Sequence, residues 1–181
     1  MSERDRVRWD AIHTDRSSDD TEPGPPSVFA SYVTVFPVTG TALDIACGQG
    51  TASIWLAQRG FEVLGVDVSP VAVETARAQA RRFGVADRCR FGVADLDDGL
   101  PAGPPADVIL CHRFRDRRLY PSLIDRLAPG GLLAICVLSE IGGAPHPFRA
   151  TPGELHAAFA GLEVIAAGEG DGQAWLLGRR G

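Results

Sequence analysis

The chain has 181 residues, 45% of them hydrophobic and 23% charged, which is enough for one sizeable core and cramped for two full domains. Its 18 basic and 23 acidic residues leave a net charge of −5, and no basic stretch is long enough to neutralise many phosphates, which argues against a nucleic-acid partner. No apolar run approaches the roughly 20 residues of a membrane span, and the polar start from Met1 to Asp10 lacks the apolar core of a secretion signal, so the expectation is a soluble cytoplasmic protein with no membrane partner.

Residues 1 to about 27 are polar and end in a proline-rich stretch, Glu22-Pro23-Gly24-Pro25-Pro26, with Val7, Trp9 and Ile12 as the large apolar groups. They read as an arm holding at most one short helix. From Thr41 onward apolar runs alternate with helix-period segments, the pattern of β-α-β units around a mostly parallel sheet. Strand one is expected at Ala42–Ala46, followed by a helix from about Thr51 that turns Ile54 and Ala57 inward and stops at Gly60. Strand two is Glu62–Asp67. The next helix has Ser69 as N-cap and Pro70 in its first position, buries Val73, Ala76, Ala80 and Phe83, and ends at Gly84. Strand three lies near Cys89–Val93, a Pro/Gly-rich loop follows, and strand four is Asp107–Cys111. A helix around Tyr120–Leu127 is stopped by Pro129-Gly130-Gly131, which turns the chain into strand five, Leu132–Leu138. The tail holds a helix near Pro152–Phe159 and two strands, Leu162–Ala167 and Gln173–Leu177, whose Gly/Asp-rich connection suits a hairpin.

Every basic residue is an arginine, which removes P-loop, Schiff-base and Tyr-Lys chemistry together. Arginine-only basicity with abundant Ala and Gly also fits a GC-rich bacterial gene. The four cysteines, Cys47, Cys89, Cys111 and Cys136, stand far apart with no C-x-x-C pair, so they read as small hydrophobes and no metal site is expected.

A doubly wound sheet binds its ligand beyond the C-terminal strand ends where the strand order reverses, so the loop after strand one carries the chemistry. It reads Asp44-Ile45-Ala46-Cys47-Gly48-Gln49-Gly50-Thr51; small residues at 46, 48 and 50 let backbone approach a ligand, and the following helix aims its free N–H groups at the same spot. Alone, such a loop is equally a tight strand-to-helix turn. Asp67 ends strand two, 23 positions after Asp44, where a carboxylate accepts both hydroxyls of a ribose; its alternative is capping the next helix, a role Ser69 already fills. Asp95 stands after strand three, able to accept from an adenine amino group or to cap its own loop. A dinucleotide loop wants glycine at 46, 48 and 51, whereas this chain has Ala46, Gly48 and Thr51 with an extra Gly50.

These residues resemble the class I S-adenosylmethionine-dependent methyltransferases, whose first motif is an acid followed by G-x-G-x-G at the end of strand one; Leu43 to Gly50 is similar to it, with Ala46 for the first glycine. Asp67 matches the family acid after strand two, Ala94-Asp95-Leu96 the adenine-contacting motif, and Leu127 to Gly131 the turn before strand five. The closest flavour is that of the small tellurite-resistance-like and thiopurine-like members. The resemblance implies an α/β, Rossmann-like, doubly wound sheet of seven mostly parallel strands in the order 3-2-1-4-5-7-6, with strand 7 antiparallel and helices on both faces. It implies one domain over residues 1–181, in which 1–35 form an arm or lid, with Trp9-Asp10 and Pro25 to Phe29 over the cofactor, and 41–181 the core. The implied cofactor is S-adenosyl-L-methionine, with S-adenosyl-L-homocysteine as product, held by Asp44, Ala46, Cys47, Gly48, Gly50, Thr51, Asp67, Val68, Ala94, Asp95, Leu96, Cys111 and Trp9.

In such enzymes the cofactor supplies a methyl group on a sulfonium and the protein supplies positioning. The acceptor belongs past strand four, at Cys111-His112-Arg113-Phe114-Arg115. His112 reads as a base or orienting group, or as a backbone-bonded histidine; Arg113 and Arg115 read as binders of an anionic acceptor, and Arg117 and Arg118 as a solvated face. His146 sits in a loop after strand five that reads as plain surface or as pocket lining. With short loops and no inserted cap, the expected acceptor is a small molecule (a thiol, oxyanion or heterocycle) and the expected assembly a monomer or homodimer. Two rival classes are a non-catalytic module that binds the adenosyl cofactor and a nicotinamide-dependent oxidoreductase, the latter disfavoured by Thr51 and the missing lysine.

Overall fold

The computed structural model describes residue 7, residues 9–11 and residues 22–181. Seven strands form one sheet: β1 Gly40–Ile45, β2 Phe61–Asp67, β3 Cys89–Val93, β4 Ala106–His112, β5 Leu127–Leu138, β6 Glu163–Gly170 and β7 Gln173–Arg179. Their order is β3-β2-β1-β4-β5-β7-β6, with β7 antiparallel to both neighbours and the other pairings parallel. This is the seven-stranded Rossmann-like architecture, and the order reverses between β1 and β4. Among the described residues no helix is long and apolar enough to cross a membrane.

Strand alternation explains the layers. Leu43 and Ile45 point to a face covered by α3 (Tyr120–Arg126) and α4 (Glu154–Ala158), where Leu123, Leu155 and Phe159 are buried. Ala42 points to the other face, covered by α1 (Thr51–Gln58) and, over β3, by α2 (Pro70–Arg82). The α2 boundaries follow from their end residues: Ser69 Oγ accepts from the Ala72 N–H at 3.2 Å, Pro70 opens the helix, and Gly84 leaves it at φ 70°. Ile54, Ala57, Val73, Ala76 and Ala80 are buried as their spacing requires.

Three local differences from the sequence reading have physical causes. Pro129-Gly130-Gly131 does not precede β5 but bulges within it: Leu127 pairs with Ala106, the chain loops out, and pairing resumes at Leu132 with Val108. A Cβ on Gly131 would lie 2.8 Å from the Ala128 carbonyl oxygen and 2.9 Å from that of Ala106, so glycine alone fits the bulge. The final hairpin is tighter than its glycine content suggests, because Asp171 (φ 50°) and Gly172 (φ 75°) make a two-residue turn and β6 runs on through Gly168 and Gly170. The segment Ser27–Tyr32 is a 3₁₀ turn whose Phe29 is fully buried, edge-on to Trp175 with centroids 6.0 Å apart, so Phe29 forms core against β7. Val7, Trp9, Asp10 and Ala11 are helical, while Ile12 lies outside the described residues.

The loops that follow β4 and β5 are tied to α4 by one carboxylate. Arg115 donates through Nε to Glu154 Oε1 (2.7 Å) and through Nη2 to Oε2 (2.6 Å), Tyr120 donates its hydroxyl to Oε1 (2.9 Å), and Arg115 Nη1 reaches the Pro147 carbonyl (2.7 Å). The Arg115 and Glu154 side chains are 13% and 4% exposed, so this pair is held in low dielectric. Burial alone would raise the Glu154 carboxyl, but the bonds from Arg115 and Tyr120 prevail and hold it at about 2. The folded value lies below the unfolded one, so the stabilisation is full above the ordinary carboxylate range and disappears as pH falls toward 2. Glu154→Gln should therefore cost about 3 kcal/mol in urea unfolding at pH 7, as breaking a buried pair does. It should also flatten the loss of stability that the parent shows between about pH 4.5 and pH 2.

Candidate active site

The loop after β1 folds over Phe91. Gly50 (φ 81°) is the N-cap of α1, and a Cβ there would come within 2.9 Å of the Ala76 Cβ and 3.1 Å of the Phe91 ring. Gly65 meets the same ring: a Cβ would lie 2.7 Å from Phe91 and 3.1 Å from the Cys47 sulfur. Gly48 (φ 53°) turns the chain, and the first turn of α1 has no side-chain cap, leaving backbone donors at the crevice. Thr51 opens that helix half-buried. Ala46, at φ 53°, holds a left-handed conformation that glycine adopts without strain, so the alanine costs the backbone about 1 kcal/mol.

Asp67 ends β2 and is turned toward this loop. Its Oδ2 accepts from the Gly48 N–H at 2.9 Å and its Oδ1 from the Ser69 N–H at 2.9 Å, with the residue 6% exposed. The sequence reading set ribose binding against helix capping; the carboxylate does brace the start of α2, through the Ser69 amide, while keeping lone pairs on both oxygens. The Ser69 hydroxyl, besides capping α2, donates to Asp10 Oδ1, which fastens the helical residues 9–11 beside Asp67 and brings half-buried Trp9 to this side of the molecule. Local sequence gives Ser69 the role of a cap; nothing in it links Ser69 to a residue 59 positions away.

Beneath the loop, Asp44 is 2% exposed and its Oδ2 accepts from the Ser53 hydroxyl at 2.6 Å. Burial, with the nearby Asp67 charge adding to it and the Ser53 bond opposing it, raises the Asp44 carboxyl to about 7. Burial and the Asp44 and Asp67 charges likewise push the Cys47 thiol well above its ordinary range. The sequence signal for Ser53 is an inward-facing serine on the first turn of α1.

At the end of β3, the Ala94 N–H donates to the Asp67 carbonyl (2.9 Å), and Asp95 Oδ1 accepts from the Asp97 N–H (2.9 Å), capping its own turn. Val68 and Leu96 are buried beside these acids, and Leu96 belongs to the core. Cys111 is also core: its sulfur contacts the Phe114 carbonyl at 3.3 Å in a small apolar hollow with Ile45, Leu119, Tyr120 and Ile135, and burial raises its thiol. Past it, half-buried His112 is lowered to about 4 by burial and by the charge of Arg113, so its imidazole is neutral at pH 7. Arg113 is exposed, at φ 61°, its N–H bonded to the Cys136 carbonyl at 2.7 Å. Arg115, read with Arg113 as an anion binder, is committed to Glu154; Arg118 pairs with Asp97 and Asp116 on the surface; His146 is exposed and lies against Phe148. Gly48, Gly50, Asp67, Ala94 and Asp95 thus meet at one crevice, with Asp44 under it, while the Cys111 side chain faces elsewhere.

These groups fit an adenosyl cofactor. Side-chain-free backbone at 48 and 50 permits close approach, uncapped helical N–H groups suit a carboxylate, and carboxylates at the ends of β2 and β3 suit ribose and adenine.

Residues 42–131 match the family model described as "Methyltransferase domain". The chain is 35% identical over 138 residues to the ribosomal protein L11 methyltransferase of Thermus thermophilus, a match covering 75% of this chain and 49% of that one. It is 32% identical over 111 residues to the trans-aconitate 2-methyltransferase of Methylobacterium radiotolerans, covering 58% and 40%. It therefore spans less than half the length of either curated relative. Among solved structures, TehB from Haemophilus influenzae superposes with a TM-score of 0.74 at 16% identity over 96% of this chain and 67% of that one, a likeness of fold.

Two measurements probe the loop. Because the folded Asp44 carboxyl lies above its unfolded value, stability should fall as pH rises from about 4 to about 7, and Asp44→Asn should remove that slope in thermal unfolding. Ala46→Gly relieves the left-handed alanine and should raise the midpoint by about 2–4 °C.

Residues 42–131 thus carry a methyltransferase domain, set in a sheet of the Rossmann-like order around a glycine loop and two strand-end acids, with S-adenosyl-L-methionine as its cofactor.

Proposed function

We propose that this chain transfers the methyl group of S-adenosyl-L-methionine to a small-molecule acceptor, by in-line displacement and mainly through positioning. The observation that carries the reading is the bond from the Gly48 N–H to Asp67 Oδ2, which holds the loop and the ribose-binding acid in one rigid cradle where the strand order reverses. When bound, the cofactor supplies a sulfonium-activated methyl group. Asp67 binds the ribose hydroxyls, the Gly48–Gly50 backbone lets the amino-acid portion lie against α1, and Asp95 faces the adenine. Ala94, Val68 and Leu96 line the nucleoside side, and Trp9 closes over it. His112, neutral at pH 7, orients the acceptor beside the end of β4.

A small acceptor is favoured by the short connections at the site: β4 ends at His112 and α3 begins at Tyr120, and the loop after β5 is pinned to α4 through Arg115 and Glu154. Of the two named relatives, one is named for a small organic acid and the other for a ribosomal protein. The compact site favours the first kind.

Calorimetric titration with S-adenosyl-L-methionine, S-adenosyl-L-homocysteine and NAD in parallel tests the reading. Binding of both sulfur nucleosides and no response to NAD is expected; NAD binding alone would overturn it. Asp67→Ala should weaken cofactor binding at least about tenfold, as loss of a charged hydrogen-bond acceptor implies. Unchanged affinity would remove Asp67 from the site.

A further inference from the structure

We infer that the acceptor is a small organic carboxylate, bound through Arg113 with the Gln173 amide beside it, and methylated on oxygen; this rests on the methyl-transfer reading above. Strand register puts the relevant groups on one face. His112 pairs with Cys136 and Cys136 with Trp175, so the three stand in one row, and Gln173 follows two residues before Trp175 on the same face. Asp44 pairs with Leu110, two residues before His112, so this is also the face that carries Asp44, and the row lies beside the glycine loop. The Cys136 thiol donates to Gln173 Oε1 at 3.4 Å, which leaves the amide nitrogen of Gln173 as a donor without a partner among the described residues.

Arg113 completes the set. It follows His112, and its N–H donates to the Cys136 carbonyl at 2.7 Å, which sets it at the end of the same row. Arg115, Arg118, Arg126, Arg149 and Arg180 are all engaged by carboxylates or carbonyls, yet the Arg113 guanidinium has no hydrogen bond or ion pair among the described residues. Its backbone, at φ 61°, holds a conformation that disfavours a long side chain, so a cation is kept at the strand end at a cost in strain. Arg113 and Gln173 thus stand at the row that carries the half-buried His112. A fork of guanidinium donors matches the two oxygens of a carboxylate.

The chemistry closes without a base. A carboxylate oxygen attacks the methyl carbon, a C–O bond forms, the C–S bond breaks, and its electron pair returns to sulfur. Anion and sulfonium become a neutral ester and a neutral thioether, and no proton moves. That suits a site whose histidine, lowered to about 4, is a weak base.

The test titrates protein saturated with S-adenosyl-L-homocysteine with benzoate, succinate and citrate, each against its neutral amide. At least one carboxylate should bind ahead of its amide. Arg113→Gln should weaken that binding by about tenfold to a hundredfold, Arg113→Lys should restore part of it, and both should leave the affinity for S-adenosyl-L-homocysteine unchanged. Failure to bind S-adenosyl-L-homocysteine at all would overturn the methyltransferase reading and this inference with it. Normal nucleoside binding with no carboxylate preferred over its amide, or with Arg113→Gln indistinguishable from the parent, would overturn the acceptor assignment alone.

Discussion

The Asp67 carboxylate is the constraint on which the site depends. It stands at the end of β2, nearly out of solvent, and is stabilised there by two backbone donors from different elements, Gly48 in the loop after β1 and Ser69 at the head of α2. Charge-assisted bonds of this kind are about twice as strong as neutral ones, and in a half-dry crevice they fix the relative position of everything attached to them. Through Gly48 the acid sets the start of α1; through Ser69 it sets α2 and, by way of Asp10, the helical residues 9–11. The same charge acts on Asp44 beneath it, which burial has already made reluctant to ionise.

Packing under the loop serves the same end. Phe91 occupies the space that side chains at 50 and 65 would need, so the glycines do more than permit tight turns: they let an aromatic ring support a backbone that must stay bare on its other side. On the opposite half of that face, Phe29 and Tyr32 pack on Trp175, 6.0 and 5.6 Å between centroids, so the residues leading into β1 brace the antiparallel end of the sheet.

Arginine is the sole basic residue of the chain, and the neighbourhood of β4 shows how differently burial uses it. Arg115, two positions from Arg113, is nearly enclosed and bidentate on Glu154, where losing its partner would strand a charge. Arg113 faces water, its guanidinium without a partner among the described residues and its backbone strained. One holds the loops in place; the other is left to solvent.

By itself the sequence determined the strand and helix order, the α2 caps at Ser69 and Pro70, the loop from Asp44 to Thr51 and the strand-end acids, because these rest on local periodicity and on residues whose conformational preferences act over a few positions. What only the tertiary structure decided is where side chains meet across the sheet. Arg115 finds Glu154 39 positions away, Ser69 finds Asp10, and Cys136 finds Gln173 because strand pairing and helix docking bring distant segments into contact. Pro129-Gly130-Gly131 reads locally as a stop, yet pairing with β4 on both sides turns it into a bulge. Cys111 reads as a strand end at the crevice, yet side-chain alternation along β4 aims its thiol into the core. Such partnerships depend on register and layer order, which no window of sequence contains.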